Sequence, residues 1–403
     1  MSDGEYRRAA ARLETERNIP LCLKQKEAFR SKGDLMTTID PFVVDIPQPD
    51  VDDLRERLTR ARWTPALPGT NWSRGVPVDY LRELADYWRD EFDWREAEAE
   101  LNRWPQFTTE IDGQRIHFKH IRSERPAAKA LLLLHDNPGG AMGLLDVIEP
   151  LSRDFHLVIP FMPGFGFSTP LADTGWTVPR TASVFAELMT RLGYERFGAH
   201  GGGGGANLSL ELGRQVPDRL IGLHVNAYVA MPDENVDGLT EDEQRRMAAI
   251  DTFMRDGIGF NIIMSTRPQT IAHGLNDSPI GLLAWVVEKF KEWSDPQADL
   301  PERAISKDQM LTDVSVQWFT GTSGSIAQSY HDLAHDPAAW APKPQVTVPT
   351  AFVVAAGDVT VRRFAERDTT VARWTEIDKA GAYLALEQPA LLVGDIRAFF
   401  GDR

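Results

Sequence analysis

The feature that first bears on chemistry is a run of five glycines, residues 201–205, in the stretch AHGGGGGA. The run follows RFGAH, which predicts a strand, and precedes ANLSLELGRQVP, which predicts a helix. A sharp turn from a strand into a helix is a place where enzymes expose a nucleophilic side chain. Gly203, in the middle of this turn, has no side chain, so the turn itself supplies no nucleophile.

Polar residues stand at the ends of two strands that we expect to be neighbours. Asp136 is the last residue of the apolar segment AKALLLLHD, and Asn137 follows it. His200 ends the strand before the glycines. An aspartate and a histidine in this arrangement can form an acid–base pair. The structural alternatives are a turn or capping role for Asp136 and a buried, hydrogen-bonded position beneath the turn for His200.

Strand and helix patterns alternate from about residue 109 and indicate a parallel sheet that is covered on both faces. After Pro232 the strand pattern stops, and helical segments run to about residue 345. Because ligands bind at the carboxyl ends of the strands in such sheets, we expect the helical segments to form a lid over the site. The predicted strands are QRIHFKHI, AKALLLLHD, FHLVIPFMP, RFGAH, LIGLHVNA, PTAFVVAAGD and VARWTEID, and the last helix is PALLVGDIRAFFG.

The N-terminal quarter of the chain has a different pattern. Residues 1–37 are polar and predict an extension that is disordered or orders on docking. Asp50 is a predicted helix N-cap in DVDDLRERLTRARW, and VDYLRELADYWRDEFDWREAEAELNRW predicts one long helix. The large aromatic residues of this region are expected to anchor it on a larger body, namely Trp63, Trp72, Trp88 and Trp94.

Composition narrows the function classes. The net charge of −15 argues against a nucleic-acid partner. Cys22 is the only cysteine, so no intrachain disulfide can form, and no apolar run approaches the roughly 20 residues that span a bilayer. We therefore predict a soluble, cytoplasmic protein that takes a small-molecule substrate, with no membrane partner, metal or cofactor; homo-oligomerisation stays open.

Several segments resemble the microsomal-type epoxide hydrolases, a branch of the α/β-hydrolases. The likeness spans about residues 40 to 400, and it implies an α/β-hydrolase fold with a helical lid and an N-terminal wrapping segment. The implied division is an N-terminal segment at 38–108, a core at 109–231 and 346–403, and a lid at 232–345. The segments are DIPQPDVDDLRERLTRARW, LLLLHDNPGG, PGFGFSTP, GWTVPRTA, RPQTIAHGLNDSPIGLLAWVVEKF and ALEQPALLVGDIRAFF.

The resemblance implies covalent chemistry in the family: an aspartate on the turn attacks the epoxide carbon, and a histidine oriented by an acidic residue then activates water. Two lid tyrosines bind the epoxide oxygen. Matching this pattern to the sequence puts Gly203 at the nucleophile position, Ala382 at the histidine and Phe260 at one tyrosine. The second tyrosine is present as Tyr330, and the acidic residue is present as Asp358.

The same resemblance places Asp136 where the family's oxyanion loop usually has glycine, Asn137 where it has tryptophan, and Gly204 at a tryptophan position. We therefore expect a bare, open floor above Gly203, with the amide of Gly204 and the loop of Asn137 free to bind an oxyanion. A phosphate-binding loop is disfavoured because the glycines lack the following Lys-Ser/Thr. The remaining substrate-binding residues are predicted to be Gln317, Trp318 and Tyr383.

These observations predict an epoxide hydrolase-like enzyme repurposed for a non-hydrolytic reaction on a bulky apolar intermediate. Intramolecular epoxide opening, cyclisation and carbon–carbon bond formation all fit, and secondary-metabolite biosynthesis is the expected setting. Tyr330, Asp358 and Asp136 are the predicted catalytic residues. The alternatives are a ligand-binding pseudoenzyme and an epoxide hydrolase in which water attacks directly.

Overall fold

The structure, a computed structural model, describes residues 38–230, 237–339 and 341–401. The predictions for residues 1–37 lie outside this part of the chain. Its centre is a nine-stranded sheet in the order β1-β2-β3-β5-β4-β6-β7-β8-β9. The strands from β1 to β3 pair antiparallel with one another, and β3 pairs antiparallel with β5. All pairs from β5 to β9 are parallel, as the alternation of strands and helices predicts.

The strands that the sequence predicts are present, with ends that shift by a few residues. The antiparallel strands β1 and β2 were not predicted, because DPF and QFTTEI are short and carry few apolar residues. The nine strands are β1 (Asp40–Phe42), β2 (Gln106–Ile111), β3 (Gln114–Ile121), β4 (Lys129–Leu134), β5 (Phe155–Pro160), β6 (Phe197–Gly202), β7 (Leu220–Asn226), β8 (Val346–Val354) and β9 (Thr369–Glu376).

Fifteen α-helices of the described chain surround the sheet. They are α1 (Gln48–Thr59), α2 (Val78–Asp90), α3 (Trp94–Asn102), α4 (Leu145–Ser152), α5 (Val178–Arg191), α6 (Gly204–Gln215), α7 (Glu241–Thr252), α8 (Gly259–Thr266), α9 (Pro268–Asp277), α10 (Pro279–Trp293), α11 (Lys307–Thr320), α12 (Ser323–His335), α13 (Arg362–Asp368), α14 (Leu384–Glu387) and α15 (Pro389–Gly401). Short 3₁₀ segments occupy Gly140–Leu144, Gly166–Ser168, Pro217–Arg219 and Pro301–Arg303, and Phe253–Gly257 is a π-helix.

Two predictions about the N-terminal helices were wrong. Helix α1 begins at Gln48 rather than after Asp50, because Pro49 is favoured in a first helical turn, so Asp50 lies inside that turn. The predicted long helix is divided into α2 and α3. The division occurs because the side chain of Asp93 caps α3 by accepting a hydrogen bond from the backbone N–H of Arg95.

The N-terminal segment packs against the lid, which consists of α7 to α12 between β7 and β8. Trp88 on α2 is buried, and its indole Nε1 donates to Ser315 Oγ on α11 at 2.9 Å. Trp94 is also buried and stands edge-on to Phe319 at 4.8 Å between ring centroids. These contacts fix α11 above the sheet, as the anchoring role predicted for the tryptophans requires; Trp63 and Trp72 are only half-buried.

The sheet separates two apolar clusters. Leu131 and Leu133 of β4 contribute to the cluster shared with the N-terminal helices and the lid, and Leu132 and Leu134 contribute to the opposite one. Successive side chains of a strand point to opposite faces, so an uninterrupted leucine run belongs in a sheet covered on both sides. No helix of the described residues is long and apolar enough to cross a membrane.

Two of the five glycines are needed for β6 and α6 to approach the neighbouring backbone. A Cβ added at Gly201 would stand 2.2 Å from the carbonyl oxygen of Gly205, and one at Gly205 would stand 2.3 Å from that of Leu134. Backbone atoms cannot move aside as a flexible side chain can. At Gly204, by contrast, the nearest atom to an added Cβ is Asp136 Oδ1 at 3.4 Å, an ordinary contact.

We therefore expect Gly205→Ala to lower the free energy of unfolding by about 3 kcal/mol, because the methyl group forces α6 away from β4. Gly204→Ala is the matched control, and its effect should stay within about 0.5 kcal/mol. Urea unfolding followed by circular dichroism measures both variants. Equal stabilities for the two would show that the close approach of β4 and α6 is wrong.

Candidate active site

Two cavities lie at the carboxyl ends of β4, β6 and β7, on either side of Pro138. The first is here called the lid cavity; it is lined by Asn137, Pro138, Phe260, Met264, Leu275, Trp285, Val286, Lys289, Trp293, Gln317, Ser323, Ile326 and Tyr330. The second is the sheet cavity; it is lined by Leu134, His135, Asp136, Pro138, Gly139, Gly140, Gly143, Leu144, His200, Gly202, Asn226 and residues 382–386.

The floor above Gly203 is not open, which corrects the sequence-based expectation. The Asp136 carboxylate lies over it, and a Cβ added at Gly203 would stand 2.0 Å from Asp136 Oδ2. Gly203 also has a φ of +52°, a conformation that other residues rarely adopt. A side chain at position 203 and the Asp136 carboxylate in its observed position therefore exclude each other.

The expected oxyanion site is also occupied by Asp136. Its Oδ1 accepts a hydrogen bond of 3.0 Å from the backbone N–H of Gly204, the first residue of α6. This contact stabilises the helix N-terminus as a capping carboxylate does, which agrees with the structural alternative considered for Asp136. Burial raises the pKa of Asp136 to about 6, although the amides of Gly204 and Asn137 oppose that shift.

Tyr330, Phe260 and Asn137 come together above Asp136. The ring of Tyr330, on α12, lies 6.0 Å from that of Phe260, and all three residues line the lid cavity. Burial raises the pKa of the Tyr330 hydroxyl to about 12, and the negative charge of Asp136 adds to the increase. A hydrogen bond with the Asn137 side chain acts in the opposite direction. A phenol that stays protonated is thus held near a carboxylate.

Gln317 faces the lid cavity, whereas Trp318 does not line either cavity. Gln317 Nε2 donates at 3.0 Å to Oδ2 of Asp313, and the backbone N–H of Gly139 donates to the same oxygen at 3.1 Å. Asp313 was missed in the sequence, where only its charge within an apolar helix could have indicated it; burial raises its pKa to about 6. The Trp318 ring instead lies beneath the guanidinium of Arg57, 5.7 Å away.

Asp358 is buried, but it lines neither cavity of the described chain. Its Oδ2 accepts from the backbone N–H of Ala227 at 2.8 Å, and its Oδ1 accepts from the backbone N–H and the hydroxyl of Thr360, each at 2.7 Å. Burial raises the pKa of Asp358, and these hydrogen bonds oppose the increase. With both oxygens engaged, Asp358 joins the loops after β7 and β8.

Ala382 and Tyr383 line the sheet cavity, where the structure brings them near Asp136. The Ala382 carbonyl oxygen accepts a hydrogen bond from Asn226 Nδ2 at 2.9 Å, which holds the backbone of Ala382 in place. The methyl side chain of Ala382 cannot act as a base. The hydroxyl of Tyr383 donates to the carbonyl oxygen of Lys289 at 3.3 Å. Burial, together with the charge of Asp136, raises the pKa of Tyr383 well above its ordinary value.

His200 lines the sheet cavity but does not pair with Asp136. Its Nδ1 lies 3.0 Å from Nδ1 of His224, and Nε2 of His224 lies 3.1 Å from Oδ2 of Asp395. This is the buried, hydrogen-bonded position that was the alternative for His200. No group of three or more histidine, cysteine, aspartate or glutamate side chains in the described ranges is arranged to hold a metal ion.

Comparison with known proteins connects this geometry to a family. Residues 39–144 match the model of the epoxide hydrolase N terminus. The chain is 32% identical to epoxide hydrolase 1 of Sus scrofa over 411 residues, which cover 90% of this chain and 89% of the relative. The chain belongs to the microsomal-type epoxide hydrolase family. Such relatives are enzymes that act on epoxides, as their name states.

Solved structures of epoxide hydrolases confirm the predicted α/β-hydrolase fold. That of Aspergillus niger matches with a TM-score of 0.81 and 29% identity, covering 91% of this chain and 97% of its own. The juvenile hormone epoxide hydrolase of Bombyx mori matches with a TM-score of 0.84 and 27% identity, covering 92% and 96%. The nine-stranded sheet with its helical insert is therefore the family scaffold.

The mutual exclusion of side chains at positions 136 and 203 can be tested by moving the carboxylate. We expect Gly203→Asp to lower the free energy of unfolding by about 3 kcal/mol, because the new side chain meets Asp136 in a strained backbone conformation. Adding Asp136→Gly should recover about 2 kcal/mol of that loss. Denaturant unfolding of the wild type, both single variants and the double variant gives the coupling. Additive effects would contradict the exclusion.

Proposed function

We propose that this protein opens an epoxide with a nucleophile carried by the same substrate, without forming an ester on the enzyme. Membership in the epoxide hydrolase family supports the epoxide as the reacting group. The observation that carries the proposal is the Asp136 carboxylate, which lies over Gly203 and close enough to Tyr330 for its charge to raise the tyrosine pKa. The pair supplies one acid and one base.

The proposed reaction needs two proton transfers. The Tyr330 hydroxyl donates a proton to the epoxide oxygen as the carbon–oxygen bond breaks. Asp136, mostly ionised at neutral pH with a pKa of about 6, accepts the proton of a substrate hydroxyl as its oxygen bonds to the epoxide carbon. Return of that proton from Asp136 to the tyrosinate restores the enzyme. No atom is gained or lost, so the product is an isomer of the substrate.

The residues around the pair favour an internal nucleophile over water. Gly203 has no side chain that could form an ester, and Ala382 provides no base to activate water. Phe260, Trp285 and Ile326 make much of the lid-cavity wall apolar, which suits the body of a bulky intermediate. Holding both reacting groups of one substrate in place can contribute several kcal/mol to lowering the barrier. We place such a reaction in secondary-metabolite biosynthesis.

Epoxide hydrolysis through Asp136 is the second candidate. It is favoured by the position of this carboxylate, which lies over the turn where the family resemblance implies a nucleophile. Attack by Asp136 on the epoxide carbon would give an ester, and water would release a diol. The two reactions differ in the mass and in the oxygen content of the product.

The test uses a panel of polycyclic epoxides that carry a free hydroxyl group, incubated in water enriched in oxygen-18. We expect a product with the mass of the substrate and no oxygen-18. A diol heavier by one labelled water would contradict intramolecular opening. Binding without turnover of any compound in the panel would favour the pseudoenzyme.

The roles of the two residues predict matched kinetic effects. Asp136→Asn and Tyr330→Phe should each lower kcat by about 10²–10⁴-fold, because each removes one proton transfer. Trp318→Phe, outside both cavities, is the control and should leave kcat unchanged. Because the base must be ionised, kcat/KM of the wild type should rise with pH through about 6. A flat pH profile over that range would contradict the role of Asp136.

A further inference from the structure

A chain of three buried polar side chains leads away from the sheet cavity. His200 on β6 is 1% exposed, His224 on β7 is fully buried, and Asp395 on α15 is 6% exposed. Hydrogen-bonding distances of 3.0 Å and 3.1 Å join them in that order. The proposed reaction uses none of the three. Because buried polar groups are hydrogen-bonded, the contacts of these three side chains indicate which ring nitrogens carry protons.

The proton positions follow from Asp395. Its Oδ1 accepts from the Arg373 guanidinium at 2.6 and 2.9 Å and from the Thr375 hydroxyl at 2.8 Å, and its Oδ2 lies against His224. Burial alone would raise the pKa of Asp395, but the hydrogen bonds from His224 and Arg373 hold it below its ordinary value. An ionised carboxylate only accepts, so His224 carries its proton on Nε2. The 3.0 Å contact between the two Nδ1 atoms holds one proton, which the remaining contacts of His200 assign.

A second contact supports the same arrangement. His200 Nδ1 lies 3.0 Å from His224 Nδ1 and also 3.1 Å from the backbone carbonyl oxygen of His224. A carbonyl oxygen only accepts, so this contact favours the proton on His200 Nδ1. Burial, together with the neighbouring His224, lowers the pKa of His200 well below its ordinary value, so the ring stays neutral at neutral pH. Its Nε2 is therefore a lone pair, and it makes no hydrogen bond within the described residues.

We propose that His200 Nε2 is a fixed hydrogen-bond acceptor that binds a second, unreactive hydroxyl group of the substrate in the sheet cavity, and that Asp395 sets it through His224. His200 and Asp136 both line this cavity, and both accept hydrogen bonds. The cavity consequently selects a donor group. This deepens the proposed function and rests on it for the reaction: substrates carry a hydroxyl group besides the nucleophilic one, and compounds in which that second hydroxyl is methylated do not bind there.

The proton arrangement can be measured on the substrate-free protein, whatever it catalyses. Nitrogen-15 NMR of histidine-labelled protein distinguishes protonated from unprotonated ring nitrogens, and His200→Gln assigns the signals. We expect His200 to be protonated on Nδ1 and His224 on Nε2. Protonation of His200 on Nε2 in the wild type would overturn the proposal.

Asp395→Asn tests whether Asp395 determines which ring nitrogens of His224 and His200 carry protons. The asparagine oxygen should stay with the donors Arg373 and Thr375, which leaves the NH₂ group facing His224. His224 must then accept at Nε2 and carry its proton on Nδ1, so that His200 becomes protonated on Nε2. Unchanged protonation of both histidines in the folded variant would contradict the role of Asp395. If the variant does not fold, the wild-type spectrum still decides the tautomer.

Binding is tested with an epoxide that carries two hydroxyl groups, here called the hydroxy compound, and with its methyl ether at the non-nucleophilic hydroxyl; each is titrated into Tyr330→Phe protein to slow turnover. The hydroxy compound should shift the His200 Nε2 signal, and the methyl ether should not. A shift with both compounds, or with neither, would overturn the binding role. If the hydroxy compound shifts the signal but the wild-type protein converts it to a diol, the acceptor site stands and the intramolecular reaction fails, so the two proposals can be told apart.

Discussion

The site depends on the position of the Asp136 carboxylate over Gly203, which a side chain at position 203 would displace. The backbone of the β6 turn is fixed by close contacts of Gly201 and Gly205, so it cannot withdraw to make room. Gly204 then presents its N–H to Asp136, and the same hydrogen bond both stabilises the start of α6 and orients the carboxylate. Three of the five glycines are therefore explained: Gly201 and Gly205 by close backbone packing, and Gly203 by a positive φ and by space for a side chain from another loop.

The family scaffold explains why a carboxylate from β4 can reach this place. In a parallel sheet the carboxyl ends of neighbouring strands meet at one edge, and β4 pairs directly with β6. The lid and the N-terminal helices, joined by Trp88 and Ser315, close that edge and bring Tyr330 over it. Acid, base and apolar walls thus come from separated segments.

The sequence was sufficient for the parallel sheet and the helical insert, because strands alternate with helices and the segments resemble a known family. Tyr330, Asn137 and Ala382 line the cavities. The sequence was insufficient where the outcome depends on distances between loops. The glycines suggested an open floor, since nothing local shows that Asp136 fills it. Periodicity likewise does not encode the direction of individual side chains. It could not show that His200 pairs with His224 rather than Asp136, that Asp358 lies outside both cavities, or that Asp313 is buried.

The most direct measurement is a crystal structure of the substrate-free protein at neutral pH, with electron density that resolves the Asp136 side chain. We expect its Oδ1 within about 3 Å of the Gly204 nitrogen, a usual N–H···O length, with the carboxylate covering Gly203. An Asp136 side chain that turns away, leaving solvent-filled space above Gly203, would contradict the view that a carboxylate from the β4 loop takes the place of the missing side chain.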